Sequence, residues 1–211
     1  MQILSLKTLP STQNYLKELL KDKKFCSPIA VTCDIQTQGI GSRDNKWEGV
    51  KGNLFVSFSL SLDSLPKDLK LESASIYFSH ILKETLCEYG SKVWLKWPND
   101  FYIENLKIGG MITNIQGENI ICGFGLNLNN APQGFATLDV KIDKYSLLNK
   151  YFQNLKEKVL WKQVFSKYKL EFERNKNYFT HINNKKISLN EAILENDGSL
   201  SINGERMYSL R

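Results

Sequence analysis

The chain has 211 residues, of which 42% are hydrophobic and 24% charged, with a formal net charge of +6. That is enough for one full domain and a small appendix; no apolar run approaches the roughly 18 residues a membrane span needs, and the N-terminal residues lack the apolar core of a signal peptide, so a cytoplasmic location is expected. Four scattered cysteines (Cys26, Cys33, Cys87 and Cys122) and two distant histidines (His80 and His181) make neither a disulfide framework nor a metal site, while the positive charge is compatible with nucleic acid, an acidic protein, an anionic substrate or a basic background.

Ile3, Leu4, Leu6 and Leu9 predict a first strand over residues 2–9. Pro10-Ser11 opens a helix, with Ser11 as N-cap and Tyr15, Leu16, Leu19 and Leu20 at helical spacing. Residues 28–34 read as an apolar strand, and residues 35–47, which have no period and contain Gly39 and Gly41 among polar side chains, read as a loop. Phe55 to Leu62 alternates strongly and is the clearest strand; residues 63–67 turn the chain at Pro66. A helix follows over 69–89, with Ala74, Tyr77, Phe78, Ile81, Leu82 and Leu86 in register and Gly90 as its stop; His80 lies beside this stripe, where packing is its expected role.

Residues 93–110 read V-W-L-K-W-P-N-D-F-Y-I-E-N-L-K-I-G-G. Val93 to Trp97 predict a strand that Pro98 stops, because proline has no N–H for a ladder. Asn99 and Asp100 fall in the next turn, Phe101 to Ile103 restart a strand, and Lys107 leads into Gly109-Gly110. Lys96 stands between two tryptophans, whose low-dielectric walls make its charge count for more. Bare backbone at Gly109-Gly110 marks a bulge or a close ligand approach. The group suits a small anionic ligand pressed against a sheet. Beyond it, residues 111–115 and 120–129 predict a hairpin whose return strand carries Gly123-Phe124-Gly125-Leu126-Asn127, where side-chain-free positions would let a ligand lie on the strand. Residues 130–144 read as loop and 146–179 as mostly helix. Short strands at 186–189, 192–195, 199–202 and 206–210, divided by the Asp197-Gly198 and Asn203-Gly204 turns, predict a β-rich appendix too small to stand alone.

Lys96-Trp97-Pro98-Asn99-Asp100, followed by Lys107-Ile108-Gly109-Gly110, resembles the signature of biotin protein ligases, and four further segments agree with it in order between about Ser11 and Asn127. The resemblance implies an α+β fold of the class II synthetase-like biotin/lipoate ligase type: a mixed, largely antiparallel sheet with flanking helices over residues 1–179, and a small SH3-like β domain over 180–211. It implies ATP-dependent activation of biotin as biotinyl-AMP and transfer to a lysine of a biotin carboxyl carrier protein. For biotin it implies Ser11, Thr12, Gln13 (where the family has asparagine), Gln36, Gly39, Ile40, Gly41, Ser42, Trp47, Lys96, Gly109 and Gly110; for ATP, Arg43, Lys46, Asn99, Asp100, Lys107 and Asn127. Asp100 would support Mg²⁺, and Lys96 is the expected catalytic cation, touching both the biotin carboxylate and the α-phosphate.

Ile40, Ser42 and Asn45 stand where the family has arginines. A charged hydrogen bond contributes roughly 1.5–3 kcal/mol, so a weaker hold on ATP or the adenylate is expected, with Arg43 and Lys46 taking over part of the charge. The ten residues before Ser11 are too few for a helix-turn-helix domain, so the expectation is a ligase without DNA binding. Members of the family are monomers or dimers through the sheet edge, and no membrane partner is expected. Lipoate ligases share the fold; the Lys96–Asp100 string and Gln36 favour biotin. A basic nucleic-acid module would need clustered cations with exposed aromatics, whereas the lysines at 21–24 and 185–186 adjoin a turn or helix end and read as solvated faces.

Overall fold

The computed structural model describes residues 1–22, 25–41, 46–182 and 185–208. In chain order the strands and α-helices are β1 (Gln2–Leu9), α1 (Thr12–Lys21), β2 (Ile29–Gln36), β3 (Gly39–Ile40), β4 (Lys46–Trp47), β5 (Leu54–Ser61), α2 (Ala74–Glu88), β6 (Trp94–Lys96), β7 (Asp100–Ile103), β8 (Leu106–Gln116), β9 (Asn119–Leu126), α3 (Lys144–Lys156), α4 (Trp161–Phe172), β10 (Phe179–Ile182), β11 (Lys185–Ser188), β12 (Ile193–Leu194), β13 (Leu200–Ile202) and β14 (Glu205–Met207). Seven strands form one sheet in the order β1-β2-β5-β9-β8-β7-β6. Only β1 and β2 pair in parallel, and α1 is the crossover this requires. Every other neighbouring pair is antiparallel. This is the mixed sheet with flanking helices expected from the resemblance. No helix among the described residues is long and apolar enough to cross a membrane.

The two faces of the sheet follow from period-2 alternation. Val31 on β2, Phe55 on β5 and Ile121 on β9 face α1, packing with Leu16, Leu19 and Leu20. Their alternates Ala30, Val56, Phe58, Cys122 and Phe124 face the other way, into one cluster with α2, α3 and α4. Phe58 meets Phe78, Tyr151 and Phe152 edge-on at 5.5–5.8 Å between centroids. Each such fully buried side chain stabilises by about 1.5–3 kcal/mol. Because α1 is only 10 residues long, it covers only part of its face. The remainder of that face stays open beside the helix N-terminus.

Several local expectations change. The stretch 35–47 is not wholly loop: β2 continues to Gln36, and Gly39 and Ile40 pair with Trp47 and Lys46. Helix α2 begins at Ala74, after a single 3-10 turn at Leu71–Ser73. The predicted helix over 146–179 is two helices. Lys158 between them has φ 48, and Asp68, far away in sequence, caps α4 by accepting from the N–H groups of Trp161 and Lys162. Phe179 leaves the helical segment and starts β10, which pairs with β11. The C-terminal strands make two small sheets, and Leu189, Ala192, Leu200 and Ile202 join the cluster that contains α2 and α4.

The edge strand β6 is covered by side chains rather than by another strand. Leu95 N–H donates to Glu171 and Trp97 N–H to Asn175 Oδ1, while Asn175 Nδ2 donates to Leu95 O. The three carbonyls of the turn Asn196-Asp197-Gly198 accept from Trp161 Nε1, Ser73 Oγ and Trp97 Nε1. The strand that carries the signature is thereby fixed to α4 and to the C-terminal strands.

Candidate active site

A cavity of about 340 Å³ lies on the open part of the α1 face. Its floor is set by strand register. Phe55, Gly125, Gly110, Asp100 and Lys96 stand opposite one another in a row across β5, β9, β8, β7 and β6. Ser57, Gly123 and Ile112 form the adjacent row. Glycine at 110, 123 and 125 leaves the middle of the floor without side chains. A Cβ on Gly125 would come within 2.6 Å of the Trp47 ring, so the indole lies directly on this backbone. Strands are spaced by about 4.8 Å, which puts Ser57 and Asp100, three strands apart, at roughly 14 Å across the floor.

The β5 side is polar and uncharged. Ser11 caps α1 by accepting from Asn14 N–H. Thr12 donates from its N–H and its hydroxyl to Gln36 Oε1, at 2.9 and 3.1 Å. With that proton committed, the Thr12 hydroxyl accepts from Ser57 Oγ at 2.9 Å. Gln13, 3% exposed, completes the wall, and neither its Oε1 nor its Nε2 has a partner.

The β7 side is charged. Lys107 Nζ lies 2.7 Å from Asp100 Oδ1, both side chains about one-quarter exposed. Simple alternation would put Lys107 on the same face as Gly109 and Met111, in the core. A register shift between Phe101 and Tyr102 prevents this: Phe101 pairs with Gly109, but Tyr102 pairs with Lys107. Ile108 stays in the core, and Lys107 turns onto the cavity face. Re-aiming a side chain is a common consequence of such bulges.

Of the residues singled out from sequence, the cavity brings together Ser11, Thr12, Gln13, Gln36, Ile40, Gly41, Lys46, Trp47, Asn99, Asp100, Lys107 and Gly110. Ser42, Arg43 and Asn45 lie outside the described residues. Four of the expected site residues are not among those that line the cavity. Lys96 is not in the cavity lining: it shares the face of Asp100 but sits one strand further out on β6, with Nζ 3.5 Å from Tyr102 Oη and 5.4 Å from the ring centroid. Asn127 does not line the cavity; its amide accepts from Asn53 and donates to Ala136 O, fixing the loop beyond β9. Gly39 serves close packing, since a Cβ there would lie 2.5 Å from Trp47 O and 2.6 Å from Gln36 Nε2. Gly109 is likewise packed against Gly125 O and Leu126.

Besides the apolar Val56, Met111 and Ile112, the lining includes Ser57 and Phe135, which were not anticipated. Ser57 is marked only by being small and polar in an apolar strand. Phe135, 42% exposed, sits in a loop that is strapped to the sheet because Ala136 N–H donates to Lys107 O and Leu138 N–H to Asn127 O. Nothing in the loop's own sequence places it there.

No group of three or more His, Cys, Asp or Glu side chains that could hold a metal occurs among the described residues. Among the described residues, Asp100 alone offers a carboxylate to the cavity. That does not make a resident metal site, but it fits Mg²⁺ carried in by a nucleoside triphosphate, which takes one or two carboxylates beside the phosphate oxygens.

The family model for the biotin/lipoate A/B protein ligase family matches residues 5–127. Biotin–protein ligase 1 of Arabidopsis thaliana is 34% identical over 113 residues, covering 49% of this chain and 31% of that protein. The bifunctional ligase/repressor BirA of Escherichia coli is 28% identical over 159 residues, covering 67% and 48%. The chain thus spans about a third to a half of the length of these curated relatives. Among solved structures, biotin acetyl coenzyme A carboxylase synthetase from Helicobacter pylori, with bound biotinylated ATP, superposes with a TM-score of 0.94 at 37% identity over 98% of this chain and 99% of that one. Biotin protein ligase from Aquifex aeolicus superposes at 0.80 and 23% identity, over 100% and 96%, a likeness of fold.

Proposed function

Because the chain belongs to the biotin/lipoate A/B protein ligase family, we propose that it activates biotin with ATP and transfers it to a lysine of a biotin carboxyl carrier protein in the cytoplasm. The observation that carries the reading is the two-ended cavity. An uncharged wall of amides and hydroxyls at Thr12, Gln13, Gln36 and Ser57 faces a cation, Lys107, across a glycine floor. Biotin has that layout: a polar, uncharged bicyclic urea on a five-carbon acid chain. The ureido head lies at the β5 side, Trp47 covers the ring and chain, and the carboxylate reaches Lys107.

In the first step a biotin carboxylate oxygen attacks the α-phosphorus of ATP, and the bond to the bridging oxygen breaks to release pyrophosphate. Two anions must meet, and two unit charges 4 Å apart repel by about 4 kcal/mol at an effective dielectric near 20. Lys107, rather than Lys96, is the cation placed to offset this, because the bulge puts it in the cavity beside Gly110. Asp100 holds the Lys107 ammonium in place in the free protein and is the carboxylate that would support Mg²⁺ arriving on the nucleotide. Magnesium supplies neutralisation of phosphate charge when bound. Phe135 offers an exposed ring to the adenine base, and Lys46 a cation at the cavity rim. In the second step the neutral amine of the acceptor lysine attacks the acyl carbon, the acyl–phosphate bond breaks, AMP leaves, and a proton is lost from nitrogen. The protein supplies no nucleophile; positioning and electrostatics carry the catalysis.

The test is pyrophosphate release by the whole chain with MgATP and either biotin or lipoate. Biotin-dependent release is expected. Release with lipoate alone would move the activity to lipoate ligation, and release with neither would overturn the reading.

A further inference from the structure

We propose that Asn53 is a positioning residue for the nucleotide: its amide fixes the orientation of the Asn127 amide, and through it the seat of Phe135 at the cavity. The proposal rests on the reading above that Phe135 meets the adenine base. Neither asparagine lines the cavity, and both are buried. Asn53 immediately precedes β5, and its side chain reaches the loop that leaves β9. Its Oδ1 accepts from the N–H groups of Leu128, Asn129 and Asn130, at 3.0, 3.3 and 3.2 Å. Its Nδ2 donates to Asn130 O at 2.8 Å and to Asn127 Oδ1 at 3.3 Å. In return, the side chains of Asn129 and Asn130 donate to Gly52 O and Lys51 O. The start of the loop is thus stitched to the segment that enters β5.

The end of the loop depends on which way one amide points. An asparagine side chain has a donor end and an acceptor end, and turning it over exchanges them. Asn127 presents Oδ1 to the Asn53 donor, so its Nδ2 is aimed the other way, at Ala136 O, 3.2 Å off. Ala136 N–H donates to Lys107 O on β8. Residue 136 is therefore held on both sides of its backbone, next to Phe135. Phe135 itself is 42% exposed, so packing does little to hold the ring, and the backbone sets where it stands. A donor at position 53 fixes this arrangement. An acceptor in its place would turn Asn127 over, and the Asn127 oxygen would then face the Ala136 carbonyl. A contact between two acceptors would replace a hydrogen bond, and a buried acceptor left unpaired costs free energy. The main-chain bonds of Ala136 and Leu138 would still tie the loop to the sheet. The Phe135 ring would lose its fixed place, and binding that must first order a side chain is weaker.

The test compares the whole wild-type chain with Asn53→Asp, which keeps an oxygen, now charged, for the three N–H groups and replaces the donor by an acceptor. Asn127→Asp is the second variant: it keeps the acceptor for Asn53 and removes the donor to Ala136 O. KM for ATP and kcat are measured by biotin-dependent pyrophosphate exchange, and biotin binding by calorimetry. Each variant is expected to raise KM for ATP about 3- to 12-fold, the loss of one net hydrogen bond, with kcat and biotin affinity within about twofold. Adding either substitution to Phe135→Ala is expected to raise KM for ATP by less than about twofold more, because the ring that the two asparagines position is gone. An unchanged KM for ATP in a folded variant, an equal loss of kcat or biotin affinity, or an effect that multiplies with that of Phe135→Ala would each overturn the proposal. If Asn53→Asp does not fold, Asn127→Asp decides by the same measures. Failure of the underlying reading looks different: Phe135→Ala then leaves KM for ATP unchanged, or the wild type shows no biotin-dependent exchange, and the proposal falls with it.

Discussion

Replacing Lys107 with methionine removes one charge from the cavity and keeps most of the apolar stem. The ammonium lies 2.7 Å from Asp100, with one-quarter of each side chain exposed, so an effective dielectric near 20 is the appropriate scale for charges at this depth. Offsetting the repulsion of two anions about 4 Å apart is then worth about 4 kcal/mol. Each 1.36 kcal/mol is a factor of ten in rate, and partial solvent screening lowers the expectation to roughly a 100- to 1,000-fold loss in kcat/KM. The assay is biotin-dependent exchange of labelled pyrophosphate into ATP, which reports the adenylation step alone. Lys96→Ala, one strand further out, is expected to cost less than about fivefold, because screening weakens a charge that does not line the cavity. A loss below tenfold for Lys107→Met, or a Lys96→Ala loss as large as that of Lys107→Met, would refute the assignment and return the bridging role to Lys96.

Other predictions follow from the same structure. Phe135→Ala should raise KM for ATP by roughly 5- to 100-fold while leaving biotin binding within twofold, since base stacking on an aromatic contributes about 1–3 kcal/mol; an unchanged KM for ATP would remove Phe135 from the nucleotide site. Asn175→Ala should destabilise by about 3 kcal/mol in urea unfolding, because it orphans the buried Trp97 N–H and Leu95 carbonyl on the edge of β6. His80 is buried against Tyr168, its two ring nitrogens unpartnered, and burial pushes its pKa below the ordinary value near 6.5; the Glu84 carboxylate opposes that shift, and the nearby Lys83 and Lys167 charges reinforce it. Below pH 6.5 the unfolded chain therefore binds a proton that the native state does not. Stability should fall as pH drops from 6.5 toward the native pKa, by at most about 1.4 kcal/mol per pH unit, and His80→Leu should flatten that slope. Denaturant midpoints at pH 7.5, 6.5 and 5.5 would show it; parallel losses in both proteins would exclude His80 as the source.

What the sequence determined by itself was local. Ser11 is legible as a cap because its hydroxyl satisfies a donor three residues on, and the strands and α2 are legible because their apolar periods of 2 and 3.6 reflect which side chains meet the core. The glycines at 110, 123 and 125 announced bare backbone wherever the strands came to lie. Distance in sequence hid the rest. Lys96 and Lys107 look alike as single lysines near strand ends, and alternation even favours Lys96, which shares a face with Asp100. The choice between them depends on where β6 lies in the strand order and on one shift of register in the β7–β8 ladder, both set by hydrogen bonds between separate strands. Asn127 reads as a ligand contact in the sequence, whereas the fold pairs its amide with Asn53 and Ala136 O. Phe135 reaches the cavity only because its loop is tied to Lys107 O. The hydrogen bond that caps one helix is written in four residues, whereas the bulge that turns Lys107 onto the cavity face exists only once β7 and β8 are paired.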